Sequence, residues 1–147
     1  MPFENHLWTR RLKEVEKEYL ATKFATQIFL ERARPDSTIL PANLRLSEFR
    51  RSSENQEGTY VVRMFSEFET GLRTFWRDIR NKKTHPPVSD LIRSISSSCR
   101  IAVPPVDNVD RVRRFRNFLV HERDATFEHI SLEVARSHLC VFLARLI

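Results

Sequence analysis

Arg116-Asn117-Phe118-Leu119-Val120-His121 is the stretch of this chain with the clearest chemical potential. It places a guanidinium, an amide and an imidazole on or beside one face of an otherwise apolar segment. A guanidinium can neutralise charge that builds on a phosphoryl group, and an imidazole, with an unperturbed pKa of about 6.5, takes up and returns protons near neutral pH. One group for the phosphate and one for the protons is the minimum set for cleaving RNA without a metal. The competing reading is an ordinary amphipathic helix turn, with His121 at a C-terminus where a cation meets the negative end of the dipole.

Spacing alone does not decide between these readings. With 20 arginines and 5 histidines, random order supplies about two arginines separated from a histidine by four to six residues. Arg114 reaches His121 in this way, Arg123 reaches His129, and Arg80-Asn81-Lys82-Lys83-Thr84-His85 repeats the arginine-asparagine start. That last copy lies where a helix runs out into lysines and Pro86-Pro87, and it reads as a solvated basic terminus with no wall to exclude water. Around Arg116, by contrast, Phe115, Phe118, Leu119 and Val120 supply apolar packing. At about 100° per residue, Asp110, Arg114, Asn117 and His121 share an arc of roughly 60° opposite Phe115 and Leu119, with Arg116 on the flank beside Val109 and Val120.

The elements that must position these groups follow the helical period. Trp8, Leu12, Val15 and Tyr19, then Leu20, Phe24, Ile28 and Phe29, predict one long first helix ended by Pro35. Residues 36–58 are expected to form a long polar connection, with a short helical turn at 44–49. Val61, Phe65, Phe68, Leu72, Phe75 and Ile79 alternate spacings of four and three, the pattern of a central helix packed nearly parallel to its neighbours. Val88, Leu91, Ile92, Ile95 and Cys99 mark a shorter helix broken by Pro104-Pro105. Asp107 is then expected to cap the motif helix, and Ser131 a last helix carrying Ala135, Leu139, Phe142 and Leu146. The expected fold is a single all-α domain spanning 1–147, an up-and-down bundle of roughly five helices.

Composition bounds the rest. Hydrophobic residues at 41% and charged residues at 30% fit a globular chain, and two glycines leave little material for tight hairpins or phosphate-cradling loops. Cys99 and Cys140 are too few for a disulfide framework and sit in apolar helix phases, so inert thiols in a reduced, cytoplasmic protein are expected. Early charge at Arg10, Arg11, Lys13 and Glu14 and the lack of a long apolar run predict no signal core and no membrane span. His6, His85, His129 and His138 are too scattered for a metal set, and no cofactor is expected.

A net charge of +6 permits an anionic partner, and arginine's planar fork suits phosphate. Arg113 and Arg114 on the motif helix, with Arg77 and Arg80 upstream, are the candidate substrate-binding residues. Residues 107–124 carry five basic against four acidic side chains, so most of those arginines read as members of surface ion pairs. Residues 71–83 set five positive charges against Asp78, and the RNA backbone is placed partly there.

The motif, its place in the penultimate helix, the apolar helix at 60–80 and the closing helix at 131–146 resemble the HEPN superfamily, small α-helical domains of toxins and of defence and RNA-processing ribonucleases. The specific match is the six residues from Arg116 to His121. The resemblance implies a metal-independent endoribonuclease with its site built across a homodimer. One His121 would assist the ribose 2′-hydroxyl, and the opposing one would protonate the leaving 5′-oxygen to give a 2′,3′-cyclic phosphate. Arg116 would stabilise the phosphoryl charge, and Asn117 would bind the phosphate or orient His121. The toxin branch controlled by tyrosine modification carries tyrosine two residues after the motif histidine; Arg123 stands there in this chain, so the resemblance leaves direct restraint by an antitoxin protein, or a stand-alone nuclease. The alternative is a catalytically inactive HEPN-like module that binds RNA, a nucleotide or a protein partner.

Overall fold

The stripe of Trp8, Leu12, Val15 and Tyr19 is buried along one side of α1 (Asn5–Ala33), as its spacing requires. The computed structural model describes residues 3–121 and 126–146. After a short 3-10 turn, Ser37–Ile39, whose Asp36 cap accepts from the Thr38 amide at 3.1 Å, the chain turns back into α2 (Leu46–Asp78). Three further helices follow: α3 (Val88–Ser98), α4 (Val103–His121) and α5 (Leu132–Leu143). The protein is an all-α five-helix bundle, and no strand occurs among the described residues. Nor is any described helix long and apolar enough to cross a membrane.

Two boundaries differ from the sequence expectation. The polar run Arg51-Ser52-Ser53-Glu54-Asn55 is helical and belongs to α2, which starts at Leu46, so the long connection shrinks to residues 34–45. Glu48 fixes that start by accepting from the Arg45 amide at 2.8 Å. The segment lacks an apolar stripe because it has little to pack against. No residue from 20 to 32 or from 46 to 60 is buried, and α1 and α2 pair there through the Phe29 and Phe49 rings, 4.7 Å apart. A Gln56–Thr26 hydrogen bond of 2.8 Å and a Thr22–Tyr60 one of 3.1 Å join the same two helices.

The second difference concerns Pro104 and Pro105, which lie in the first turn of α4, where a missing N–H costs nothing. Asp107 is therefore inside the helix and not its cap. What ends α3 is Arg100, in the left-handed region at φ 54°. Ile101 donates to Ser96 O at 2.9 Å and Arg100 to Ser97 O at 3.3 Å, the paired bonds of a Schellman turn.

The core gathers α1, α2, α3, α4 and α5 around Phe65, Phe68, Leu72 and Phe142, with Phe68 and Phe142 edge to face at 5.7 Å. Ser131 caps α5 by accepting from the Val134 amide at 3.2 Å. Arg136 ties α5 to Glu16 of α1 at 2.8 Å. Cys99 and Cys140 are half-buried free thiols, and burial pushes the Cys140 thiol up.

Candidate functional site

The central helix and the motif helix meet where Phe65 and Glu69 of α2 face Arg116 of α4. The Arg116 guanidinium carbon lies 4.8 Å from the centre of the Phe65 ring, and its ion-pair partner, Glu69 Oε2, stands 3.8 Å away. That is too far for a hydrogen bond. The Arg116 side chain keeps only 20% of its exposure, and its Nε is buried with no partner among the described residues. Stacking, not saturated hydrogen bonding, holds this arginine.

Its neighbours are bonded differently. Asp110 accepts a hydrogen bond from Arg113 Nε at 2.9 Å, and its carboxylate forms ion pairs with Arg113 Nη2 at 2.8 Å and Arg114 Nε at 2.9 Å. Both arginines are thus engaged by one carboxylate, as the near balance of charge on this helix requires. Glu69 is shared too: its Oε1 accepts from Arg73 Nε at 3.1 Å and Nη2 at 2.7 Å, while Arg73 Nη1 donates to Pro86 O at 3.0 Å.

Asn117 is half-buried and His121 is exposed on the last turn of α4. Among the described residues, His121 takes no part in the ion pairs made by the other polar residues of its helix. Within one chain Arg116 turns inward to α2, and Asn117 and His121 lie on the outward strip beside the exposed Val120. The Arg123 position lies outside the described residues.

The upstream candidates separate. Arg77 pairs with Asp78 at 2.7 Å and lines an open groove. Arg80 turns instead to Cys99 Sγ at 3.4 Å and lies 5.7 Å from the Phe75 ring centre, with its Nε buried and unpartnered among the described residues. Arg80 is therefore a packing arginine between α2 and the end of α3.

Two features escaped the sequence reading. Residues 81–85 are exposed, as a solvated basic terminus would be, but they fold back along α2. Asn81 adopts φ 53°, a left-handed conformation that asparagine tolerates, and the Lys82 amide bonds Trp76 O at 3.1 Å. The chain doubles back along α2, where Trp76 Nε1 donates to Thr84 Oγ1 at 3.1 Å, and so encloses a groove of about 500 Å³. An asparagine just past the last apolar position was the available signal. The other feature is His129, whose Nε2 lies 3.0 Å from Glu57 Oε1 and whose ring meets Phe115 edge-on at 5.6 Å. These residues border a broad groove of about 810 Å³ between α2 and the C-terminal half of α4. Burial, and after it the Glu57 carboxylate, push the neighbouring Tyr19 phenol up.

Comparison with protein-family models, with curated proteins and with solved structures finds no match to this chain.

Proposed function

We propose that the protein is a metal-independent endoribonuclease of HEPN type, with a composite site formed when the α4 helices of two copies face each other. The observation that carries this reading is the state of Arg116. Its stem is buried, its guanidinium is fixed against Phe65, and its carboxylate partner stands beyond hydrogen-bonding distance. Such a group is oriented in advance and still has donors to offer a phosphoryl oxygen. His121, exposed one turn further on, is accessible to a second copy and to substrate.

In this mechanism one His121 accepts the proton of the ribose 2′-hydroxyl as that oxygen attacks phosphorus. The other copy's His121 donates a proton to the departing 5′-oxygen, leaving a 2′,3′-cyclic phosphate and a 5′-hydroxyl. Arg116 stabilises the charge on the non-bridging oxygens, and Asn117 positions phosphate or imidazole. Two copies are required because one motif supplies one histidine for a two-proton reaction. A role as a toxin restrained by a protein antitoxin, or in defence or RNA processing, accords with this chemistry.

The test is incubation of the purified protein with labelled single-stranded RNA in EDTA, beside His121→Ala and Arg116→Ala. Cleavage by the unmodified protein alone, leaving cyclic phosphate ends, is expected, with both variants still helical by circular dichroism. Retained cleavage by either variant overturns the mechanism. RNA binding without any product moves the assignment to a non-catalytic binding module.

A further inference from the structure

The groove made by the fold-back after α2 carries an excess of positive charge, from Lys82 and Lys83, and lies outside the motif. Arg73, Arg77, Lys82, Lys83 and His85 line it, together with Trp76 and three threonines. Arg73 and Arg77 are paired with Glu69 and Asp78. The ammonium groups of Lys82 and Lys83 have no ion-pair partner among the described residues, and both side chains are exposed. We propose that this groove holds the phosphodiester backbone of a single-stranded RNA and leads it to Arg116. The choice of RNA as ligand rests on the ribonuclease reading above.

Three observations point to a nucleic-acid strand. The hydroxyl of Thr84 accepts from the Trp76 indole at 3.1 Å, which leaves its own proton available to donate to an acceptor such as a phosphate oxygen. Trp76 is half-buried and held by that bond, giving a fixed π surface beside the lysines on which a base can stack. Most telling is continuity: Arg73 lines the groove and shares the Glu69 carboxylate with Arg116. A strand in the groove would therefore pass from Lys82 and Lys83 along Arg73, whose guanidinium is committed to Glu69 and Pro86 O, toward the motif arginine. A concave channel between a helix and a folded-back segment admits a single strand, whereas a flat bilayer surface meets only its rim.

The test uses the His121→Ala protein, so that the strand survives, with and without Lys82→Ala and Lys83→Ala together. Binding of a fluorescein-labelled oligoribonucleotide is followed by anisotropy over a salt series, and melting curves show that the exposed lysine changes leave the fold intact. The double change is expected to weaken binding about tenfold at 0.1 M salt and to flatten the log Kd against log salt slope by about 1.4, two contacts at about 0.7 each. An unchanged Kd and slope overturns the proposal. So does loss of binding to phosphatidylserine vesicles while RNA binding stays the same. The two readings fail separately: RNA bound through the lysines but never cut by the unmodified protein sinks the nuclease and keeps the groove. Cleavage with unaltered KM in the lysine variant sinks the groove and keeps the nuclease.

Discussion

Arg116 lies over the face of Phe65, its guanidinium carbon 4.8 Å from the ring centre, so a core residue of α2 sets the pose of a charged residue of α4. A cation over an aromatic face gains about 0.5–2 kcal/mol, depending on its desolvation. Phe65→Leu keeps the site apolar but removes the π face. It is expected to lower stability by about 1 kcal/mol and, on the ribonuclease reading proposed above, to slow RNA cleavage about tenfold at temperatures where the variant is fully folded. Rates and melting curves measured together check this; an unchanged rate would show that the stacking has no part in placing Arg116.

Glu69 divides its charge between Arg73 and Arg116, and replacing it by glutamine separates two effects. If the proposed ribonuclease reading holds, loss of the negative charge strengthens the pull of both guanidinium groups on phosphate, so KM for RNA should fall roughly threefold. Loss of the ion pair leaves Arg116 less well fixed, so kcat should fall as well. Steady-state kinetics of Glu69→Gln distinguishes this from a purely structural role, in which the Glu69→Gln melting point drops but KM does not.

Gly71 is placed by Trp8. A Cβ at position 71 would meet the indole Cδ2, Cγ and Cε3 atoms at 3.0, 3.1 and 3.2 Å. Trp8 is itself buried, so the ring has little room to yield. Gly71→Ala should destabilise the protein by about 1–3 kcal/mol even though alanine is the better helix former. Urea unfolding measures it, and a neutral or stabilising result would mean that α1 shifts on α2 at no cost.

His138 on α5 should make stability acid-sensitive. Burial, and after it the Arg111 charge, hold its imidazole below the ordinary 6.5. The unfolded chain therefore takes up this proton first as pH falls. The contribution is complete above about 6.5 and is lost as pH drops through that value toward the lowered folded pKa. His138→Gln should remove this part of the pH dependence, seen as a flatter melting temperature profile from pH 7 to pH 5. An identical profile in the variant would assign the acid loss to other groups.

The helices that were legible in sequence are those whose apolar stripe is buried on the spot, such as Trp8 to Tyr19, Val61 to Phe75 and Ala135 to Phe142. The first turns of α2 were not legible because a helix packed mainly on α1 through one aromatic pair shows no wide apolar face, and its polarity resembles that of a connection. Pro104 and Pro105 looked like a break because proline is tolerated in the first turn and nowhere later. Of the site, the outward placement of Asn117 and His121 followed from helical angles alone. The pairing of Arg116 with Phe65 and Glu69 needed the packing of α4 on α2, and the lysine groove depended on the backbone of a single residue, Asn81. Neither kind of information is carried by spacing.

The uneven burial along the α1–α2 hairpin also orders how the molecule opens. Amides between residues 20 and 32 and between 46 and 56 lie on stretches of α1 and α2 that carry no buried side chain, secured by the Phe29–Phe49 pair and a few polar bonds. They should exchange with deuterium through local fraying, long before the amides around Leu12, Phe68 and Leu139. The hairpin tip is thus expected to open and re-form while the five-helix core beneath Arg116 stays closed, which deuterium exchange resolved by residue would show.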